Sequence, residues 1–586
     1  MRHNYLSASL TAICFFIALH AFAQPWKYNF GTIAATFSTA NTANLNFLPA
    51  PVTGAGIDRV YIGSGGGSFK LSNPGISQIG TGCELNIVAS NSASSINKAS
   101  VYDYTGGTSF YTKFEVLLGS STGTNSTGTG DIYFYQGNGA CFSDNNDITG
   151  TQIFTGIKWS LAASGGTVNT QYLNGATWTA LGSSPFIQAN TYTVEIFGNN
   201  STTSVSYTYN GVSQTLAANT QDIWVNTSLI GNDLPKAGLT ANTSINSWMM
   251  IGNSSASNLA NGYFEDFTYS NSIAAGYTTY LNYYSKPSLT LQLTSEWATN
   301  RDGIGNIIPP NFTTAFRRYI IINTTVPITY NGSSLSCCSI GALWTVSGTD
   351  SRVVVGDTNY VNTSIFYLQS GTKRLAGTID VTNNGSLFIK NLVLPTFGSL
   401  GLSSMVVYDQ VTTGSVAVAP ASYGSLVFTG EGTFNIGGSV TVKDILEIDL
   451  LSGSVVVKAG KNLTVQGETM IYCPECLVLE STSAGVASFI DNGINYMGGS
   501  GSVKVQDYRI GAGGATPNGR FHYASIPVTA ATSAVYDANG ANKVWYFSEA
   551  TNGYTEITNN TTALSVGKGY LIRLGAISTL NFIGNL

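Results

Sequence analysis

The sequence is poor in charged side chains. Only 9% of its 586 residues are Asp, Glu, Lys or Arg, whereas a typical soluble domain has about 25%. The net charge is -5, and Lys and Arg do not cluster into a basic run after the N-terminal segment. A chain without a basic patch lacks the phosphate contacts that dominate nucleic-acid affinity. We therefore expect no nucleic-acid partner, and solubility must come from hydroxyl and amide side chains.

Histidine is nearly absent: the chain has His3, His20 and His522. The first two lie in an N-terminal segment that we expect to be removed. A single remaining histidine excludes multi-histidine metal sites, and it leaves Ser-His-Asp or Cys-His catalysis only if His522 is the base. Because His522 lies in the alternating run RFHYASIPV, a structural histidine in a strand is the favoured interpretation.

The N-terminus has the parts of a secretory signal peptide. A basic start precedes the apolar run Leu10 to Leu19, and an Ala-Phe-Ala cleavage motif ends at Ala23. We predict a signal peptide at residues 1–23 and a mature chain that begins at Gln24. The apolar run is too short for a membrane anchor, and no later segment reaches about 20 apolar residues, so no transmembrane segment is expected. The predicted location is secreted or on the outer cell surface.

Cysteine is scarce, and the mature chain has no obvious redox or zinc motif. In an oxidising compartment we expect the cysteines to be structural, as disulfides or inert thiols. The CPEC motif has neither a second cysteine pair nor the histidines that a zinc site would need. The residues concerned are Cys83, Cys141, Cys337, Cys338, Cys473 and Cys476.

Helical periodicity is scarce after the signal peptide, whereas apolar and polar residues alternate throughout between Gly, Asn and Ser. This pattern predicts an all-β protein. The stretch SVSYTYNGVSQTLA predicts a hairpin, because Asn210 and Gly211 can take the positive φ values of a type I′ turn.

Changes in strand length divide the mature chain into four segments. Long, aromatic-rich strands predict a two-sheet sandwich at 24–273, followed by a β-rich connector at 274–341. Short strands headed by Gly and Ser or Thr predict β-solenoid repeats at 342–469, with a second sandwich as the alternative. Residues 470–586 are expected to form a C-terminal β-rich domain, and their apolar last strand suggests that the chain is truncated.

Two groups of phrases resemble known families. CLVLES, VKVQDYRI, FHYASIPV, VWYFSEATNGYTEI and GKGYLI follow in the order found in large secreted Bacteroidetes proteins that use type IX secretion. That resemblance covers about Tyr423 to Leu586, and the C-terminal sorting domain of such proteins is missing. TYTVEIFGNN, DIWVN and YFEDFTYSNSI, within Lys113 to Ile273, are similar to concanavalin-like (laminin-G or L-type lectin) jelly rolls. The resemblances imply a secreted or surface protein that binds glycans or mediates adhesion.

The best candidate binding site is the loop QGNGACFSDNNDITG, from Gln136 to Gly150. Its consecutive Asp and Asn residues offer the oxygen ligands that calcium prefers, although the spacing is not that of an EF-hand. An ordinary Asx-rich turn is the alternative. With Ca²⁺ as the expected cofactor, the metal ligands are Asp144, Asn146 and Asp147.

Aromatic and amide side chains near this loop are the expected glycan ligands. Aromatic rings can stack on sugars, although lone tryptophans in strands also serve as core residues. The predicted ligand-binding residues are Tyr133, Tyr135, Asn138, Asn145, Trp159 and Trp178.

No catalytic site is predicted. Retaining glycan hydrolysis requires two carboxylates about 5 Å apart, and the nearest match to the glycanase motif E-x-D-x-x-E, at Glu447, lacks its last acid. Glu265 and Asp266 are adjacent in a strand and are expected to point to opposite faces. The acidic and basic residues that a solenoid lyase would need form no obvious cluster: Asp350, Arg352, Lys373, Arg374 and Asp380.

Together these features predict an exported, adhesin-like protein that binds a polysaccharide or surface glycan through its N-terminal domain. The repeats from Tyr423 to Gly467 would then act as a stiff spacer. An extracellular polysaccharide-degrading enzyme and a purely structural surface component are the alternatives. Carboxylates that converge in one cleft would favour the enzyme.

Overall fold

The computed structural model describes residues 26–51, 56–72, 79, 82–119, 129–163, 165–182, 184–286, 291–301, 305–322, 335–336, 343–357, 364–368, 374–390, 393–410, 414–497, 501–511, 520–537 and 542–586. The predicted signal peptide, Cys337, Cys338 and Lys373 lie outside the described residues. The described chain forms two compact units, one within 1–284 and 298–309, the other within 285–297 and 310–586.

The prediction of an all-β protein is confirmed. Helical geometry among the described residues is limited to 3₁₀ turns, and none of them is long and apolar enough to cross a bilayer. These turns are Ala140–Phe142, Gly150–Gln152, Ala256–Asn258, Thr294–Glu296 and Ser533–Tyr536.

The first unit is a jelly-roll sandwich, as predicted. A nine-stranded sheet has the order β17-β16-β13-β8-β19-β6-β5-β2 with β1 beside β19, and an eight-stranded sheet has the order β12-β11-β10-β9-β18-β7-β4-β3. The strands of this part of the chain are β1 Trp26–Tyr28, β2 Ala35–Phe37, β3 Thr42–Asn44, β4 Ile57–Ile62, β5 Ser68–Leu71, β6 Leu85–Val88, β7 Asn97–Tyr102, β8 Ser109–Leu118, β9 Gly130–Gly137, β10 Ile153–Leu161, β11 Asn169–Asn174, β12 Thr177–Ala180, β13 Thr191–Asn199, β14 Val205–Tyr209, β15 Val212–Leu216, β16 Thr220–Val225, β17 Ser228–Pro235, β18 Ser247–Asn253, β19 Asn261–Ser270 and β20 Gly276–Tyr277.

Aromatic side chains from both sheets fill the sandwich core. The rings of Phe114 and Phe134 lie 4.6 Å apart, and those of Trp248 and Phe267 lie 4.7 Å apart. All four side chains are fully buried. Because successive residues of a strand point to opposite faces, this core fixes which residues of each strand point outward.

The predicted hairpin is present and covers the outer face of the nine-stranded sheet. β14 pairs with β15 around Asn210 and Gly211, whose φ values are 48° and 79°, as a type I′ turn requires. Tyr207 donates a hydrogen bond of 2.7 Å to the buried carboxylate of Asp222. That outer face is therefore filled by the protein itself at this point.

The second unit contains the predicted solenoid. Its strands pair in parallel in three series, β23-β26-β29-β31, β24-β27-β30-β32-β35-β37-β40-β45 and β34-β36-β38-β43. The parallel pairing extends from Arg318 to Val505, beyond both ends of the segment assigned to the repeats. The strands of this part are β21 Leu281–Ser285, β22 Trp297–Ala298, β23 Arg317–Ile321, β24 Leu335–Ser336, β25 Leu343–Thr345, β26 Arg352–Val355, β27 Ser364–Leu368, β28 Arg374–Ala376, β29 Thr378–Val381, β30 Gly385–Ile389, β31 Thr396–Leu400, β32 Met405–Gln410, β33 Ser415–Val418, β34 Ser422–Tyr423, β35 Ser425–Ile436, β36 Val440–Val442, β37 Ile445–Val457, β38 Asn462–Val465, β39 Glu468–Ile471, β40 Leu477–Leu479, β41 Ser481–Thr482, β42 Gly485–Val486, β43 Ser488–Ile490, β44 Ile494–Tyr496 and β45 Val503–Arg509.

Equivalent apolar residues stack along the solenoid. Phe366, Leu387, Val406, Leu426 and Leu446 are successive register partners, and all are fully buried. Successive partners lie about 20 residues apart in sequence, so one coil has about that length. Burial of each such side chain stabilises the stack by about 1.5–3 kcal/mol.

Glycine occupies the bends inside the long strands. Gly432 and Gly453 are register partners with φ values of 110° and 97°. A Cβ on Gly453 would overlap the carbonyl oxygen of Gly432 in the neighbouring coil. The glycines that precede Ser or Thr in the sequence therefore lie at bends within a coil as well as at the starts of strands.

The C-terminal region forms a small antiparallel sheet of order β46-β49-β47-β48. One face packs on a core that includes Val544, Ile572 and Leu574, all fully buried. The last strand pairs antiparallel with β45 at the end of the longest parallel series. The strands are β46 Arg520–Ser525, β47 Lys543–Ser548, β48 Gly553–Ile557, β49 Gly569–Leu574 and β50 Ser578–Gly584.

The described cysteines are structural, as expected. Cys473 and Cys476 form a disulfide with their Cα atoms 5.6 Å apart. Cys83 and Cys141 are buried thiols, and burial raises the pKa of each. A raised pKa disfavours the reactive thiolate.

Candidate functional site

The outer face of the eight-stranded sheet, turned away from the sandwich core, carries the predicted aromatic strand. On β9, Ile132 and Phe134 point into the core, so Asp131, Tyr133 and Tyr135 point outward. The register places Lys158 of β10 directly opposite Tyr133. Residues from two neighbouring strands therefore meet on one surface.

Three aromatic rings cluster on this surface. The rings of Tyr133 and Tyr135 stack 5.7 Å apart, and Trp178 of β12 lies 5.6 Å from Tyr133 and 6.1 Å from Tyr135. Tyr135 is buried, whereas Tyr133 and Trp178 are half-buried. Gly156 leaves the space that the Tyr135 ring occupies, because a Cβ there would lie 3.2 Å from that ring. The result is a partly exposed aromatic surface supported by a buried ring.

Polar groups border the rings. Asp131 accepts hydrogen bonds from Ser160 at 2.6 Å and Tyr133 at 3.1 Å, and it forms an ion pair with Lys158 at 3.2 Å. The Lys158 ammonium also lies 5.7 Å from the centre of the Tyr133 ring. Burial raises the pKa of Tyr133, and the carboxylates of Asp131 and Asp147 raise it further. The Tyr133 hydroxyl therefore stays protonated at neutral pH. We name Asp131, Tyr133, Lys158 and Trp178 the outer-face site.

The loop from Gln136 to Gly150, where the sequence predicts calcium, lies on the same outer face of the eight-stranded sheet. A lysine side chain binds it. The fully buried ammonium of Lys98, on β7, donates hydrogen bonds of 2.8 Å to the carbonyl oxygens of Cys141 and Asn146. It also lies 3.1 Å from the carbonyl oxygen and 3.4 Å from the carboxylate of Asp144. Burial lowers the pKa of Lys98, and the Asp144 carboxylate opposes that effect.

A second cation completes this arrangement. Arg59, on β4, donates to the carbonyl oxygen of Asp144 at 2.5 Å and to the side-chain oxygen of Asn145. Burial favours the neutral form of Asp144, but hydrogen bonds from Asn146 and the charge of Lys98 outweigh it and lower the Asp144 pKa. A calcium ion at Asp144 would therefore lie beside two protein cations, Lys98 and Arg59. The loop does not fit a calcium ion at this position.

The predicted ligand-binding residues separate into distinct environments. Tyr133 and Trp178 lie together on the accessible surface, with Tyr135 beneath them. Trp159 was assigned to the wrong face: it is fully buried in the sandwich core, where a ring cannot stack on a sugar.

The amides and acids of the loop are held by local hydrogen bonds. Asn138 donates to the carbonyl oxygen of Ser244 at 2.9 Å. Both the backbone and the side chain of Asn146 donate to Asp144 at 2.9 Å. The backbone bond from Asn146 to Asp144 spans two residues, as in an Asx turn. Asp147 is exposed and accepts the backbone N–H of Ile148 at 2.7 Å.

Several residues of the site were not found from the sequence. Lys98 and Arg59 lie on strands that are far from the loop in sequence, although their side chains contact it. Asp131 and Lys158 belong to the site only because β9 pairs with β10. The one local signal that the sequence offers for such residues is a lysine or arginine at an alternating position of an otherwise apolar strand. It shows a cation on a sheet face but not its partner.

Three carboxylates also converge on the outer face of the nine-stranded sheet. Glu265 is the register partner of Glu115, and Glu84 precedes Leu85, the partner of Phe264. Glu265 is 0% exposed and Glu84 is 3% exposed. Burial, followed by the neighbouring carboxylates, raises the pKa of Glu265 to about 9. A fully buried carboxyl group such as that of Glu265 does not contact a polysaccharide. We therefore assign a structural role to these three carboxylates.

Of the candidates for a lyase site in the solenoid, the structure describes the side chains of Asp350, Arg352 and Asp380. Arg352 and Asp380 lie on adjacent coils and form an ion pair of 3.3 Å. Asp380 also accepts the backbone N–H of Ser399 at 2.6 Å. Within the described residues, no group of three His, Cys, Asp or Glu side chains is arranged to hold a metal ion.

Comparison with known proteins gives partial structural similarities. No protein-family model and no curated protein matches the chain. Similar solved structures include the receptor-binding domain of a botulinum neurotoxin C/D mosaic (9% identity, TM-score 0.23, covering 42% of this chain and 48% of that one). The globular domain of T. cruzi calreticulin (10%, 0.22, 35% and 80%) and the lectin UEA-II complexed with galactose (10%, 0.21, 43% and 99%) are others. The chain spans about half the length of the botulinum neurotoxin domains that it matches. At these identities and TM-scores, the similarities establish neither a family nor a function.

Proposed function

We propose that this chain is an exported protein that binds a glycan at the outer-face site, without calcium and without catalysis. One observation carries the proposal: the half-exposed rings of Tyr133 and Trp178 lie 5.6 Å apart beside the ion pair of Asp131 and Lys158.

This combination suits a sugar. The C–H face of a pyranose can lie on an aromatic ring, and each aromatic contact of this kind contributes about 1 kcal/mol. The Asp131 carboxylate accepts hydrogen bonds from hydroxyl groups, and the Lys158 ammonium donates them. A few oriented polar groups beside apolar surface are the usual composition of a small-molecule site.

The buried cations support the proposal of calcium independence. Lys98 and Arg59 already neutralise the loop oxygens, and a divalent ion at the same place would meet two positive charges. Repulsion between charges at such distances is strong where water is excluded. The loop is therefore held in place by protein groups alone.

The remaining parts of the proposal concern location and the solenoid. The predicted signal peptide supports export, and the stacked coils with few charges support a stiff spacer. A structural component would share both features, so glycan binding is the property that separates the two functions.

A polysaccharide panel tests this function. The mature chain from Gln24 is incubated with neutral and charged polysaccharides in EDTA and in calcium, and retention is measured together with the release of reducing ends. We expect retention in both buffers without release of reducing ends, and loss of retention in Tyr133→Ala and Trp178→Ala. Tyr263→Ala, a half-buried tyrosine on the other sheet, is the matched control. Absence of retention, or the release of reducing ends, contradicts the proposal.

A further inference from the structure

The small C-terminal sheet has an exposed face that is aromatic instead of polar. The residues that alternate with its buried core are Phe521 and Tyr523 on β46, Trp545 and Phe547 on β47, and Tyr554 on β48. We name these five residues the aromatic platform. Phe521 is 56% exposed, Tyr523 74%, Phe547 45% and Tyr554 50%.

The rings of the platform are in contact with one another. Phe521 and Trp545 lie 5.9 Å apart with an angle of 33° between the ring planes, and Phe547 and Tyr554 lie 5.5 Å apart. The hydroxyl of Tyr523 raises the pKa of Tyr554, so these two side chains also approach each other. An antiparallel sheet with one free face normally places polar residues there. A continuous exposed aromatic surface indicates a binding surface.

Positive charge is in excess on this face. Lys543 and Glu556 neutralise each other in an ion pair of 2.9 Å. Arg573, on the central strand β49, lies directly opposite both Phe521 and Lys543 and forms no ion pair with a described carboxylate. The guanidinium of Arg573 is therefore the uncompensated positive charge on this face, and it can bind an anion.

We propose that the aromatic platform and Arg573 bind an acidic polysaccharide whose sugar rings carry carboxylates. The aromatic side chains would stack on successive sugar rings, and the guanidinium of Arg573 would bind a carboxylate through two parallel hydrogen bonds. The five aromatic residues are spread over three strands, which suits contact with several units of an extended polymer. The whole chain carries a net charge of -5, and general attraction therefore does not draw a polyanion to it. This surface is separate from the outer-face site and does not depend on it.

The proposal is tested by affinity electrophoresis of the mature chain in gels that contain polygalacturonate or a neutral β-glucan. We expect retardation by polygalacturonate only, with retardation weakened by salt. Trp545→Ala and Arg573→Gln should each weaken it about tenfold, and Arg573→Lys should restore part of it. Leu451→Ala, an exposed apolar residue of the solenoid, is the control for a general surface effect.

Further variants separate the two surfaces and the alternative occupant. Tyr133→Ala and Trp178→Ala should leave the retardation by polygalacturonate unchanged, because they alter only the outer-face site. Equal retardation by the neutral glucan, or an unchanged Arg573→Gln variant, would overturn the proposal. A dimer in sedimentation experiments that Tyr523→Ala abolishes, without polygalacturonate binding, would also overturn it and assign the platform to self-association.

Discussion

The ammonium of Lys98 donates a hydrogen bond of 2.8 Å to the backbone carbonyl oxygen of Asn146, in the loop where the sequence predicts a metal ion. The same ammonium binds the carbonyl oxygens of Cys141 and Asp144. The Lys98 ammonium thus lies against the same loop segment in which the sequence predicts the metal ligands Asp144 and Asn146. This arrangement makes the loop an intrinsic part of the sheet face that carries the outer-face site.

Lys98→Met should destabilise the sandwich by roughly 3 kcal/mol, because it leaves several buried carbonyl oxygens without a donor. Thermal unfolding monitored by calorimetry measures the effect. Lys27→Met, which alters an exposed lysine on β1, is the control and should change stability little. Calcium or EDTA should leave the wild-type unfolding temperature unchanged. A rise in that temperature on addition of calcium would show that the loop binds the metal.

The relation between Lys98 and its loop shows what the sequence could not predict. Lys98 and Asp144 are 46 residues apart, and alternation assigns a residue to a face without giving the order of the strands. The convergence of Glu115 and Glu265 has the same origin, since it depends on the pairing of β8 with β19.

Local features were predicted more successfully. The Asn210-Gly211 turn needs only the φ values of two residues, and the hairpin is present as expected. The all-β class and the solenoid follow from strand patterns, but the coil length does not, because glycines such as Gly432 and Gly453 mark bends within a coil. Trp159 was misassigned because alternation does not show which face of a strand is the core.

The stability of the sandwich should fall as pH rises through the neutral range. The pKa of Glu265 is about 9 in the folded protein and near 4.5, the ordinary value for glutamate, when unfolded. Between these values the folded state binds the extra proton, so the free energy of unfolding decreases by up to about 1.4 kcal/mol per pH unit. Burial is the main cause of the raised pKa of Glu265, and the acidic neighbours Asp266, Glu115 and Glu84 raise it further, whereas a hydrogen bond from the backbone N–H of Gly82 opposes the increase.

Glu265→Gln tests this dependence because it preserves the shape of a neutral carboxyl group. Unfolding temperatures measured from pH 5 to pH 9 should decline less steeply in the variant than in the wild type. Glu556→Gln, in an exposed ion pair, should retain the wild-type slope. Identical slopes in Glu265→Gln and the wild type would show that Glu265 ionises in the folded state without cost.

The solenoid should depend on its stacked apolar residues. Leu426→Ala removes a fully buried side chain between Val406 and Leu446, and we expect a loss of about 3 kcal/mol. Leu451→Ala should be close to neutral because Leu451 is 84% exposed. Chemical denaturation of both variants measures the difference, and equal stabilities would contradict the stacked-coil account.

The stability of the solenoid should also require glycine at the bend inside β37, at Gly453. Gly453→Ala places a Cβ against the carbonyl oxygen of Gly432 at a φ of 97°, which we expect to cost at least 1–2 kcal/mol, an order-of-magnitude figure for such strain. Gly437→Ala is the matched control, because a Cβ there meets no atom within 4 Å. Limited proteolysis at rising temperature compares the two variants. A Gly453→Ala variant as resistant as Gly437→Ala would contradict the close packing of the coils.

Glycan recognition by the outer-face site is measured by the dissociation constant of the mature chain for a retained glycan, determined by calorimetry in EDTA and in calcium. We expect the same constant in both buffers and a constant about tenfold larger in Trp178→Ala and in Tyr133→Ala. Binding that requires calcium, or that is unchanged in both variants, would contradict glycan recognition by the outer-face site.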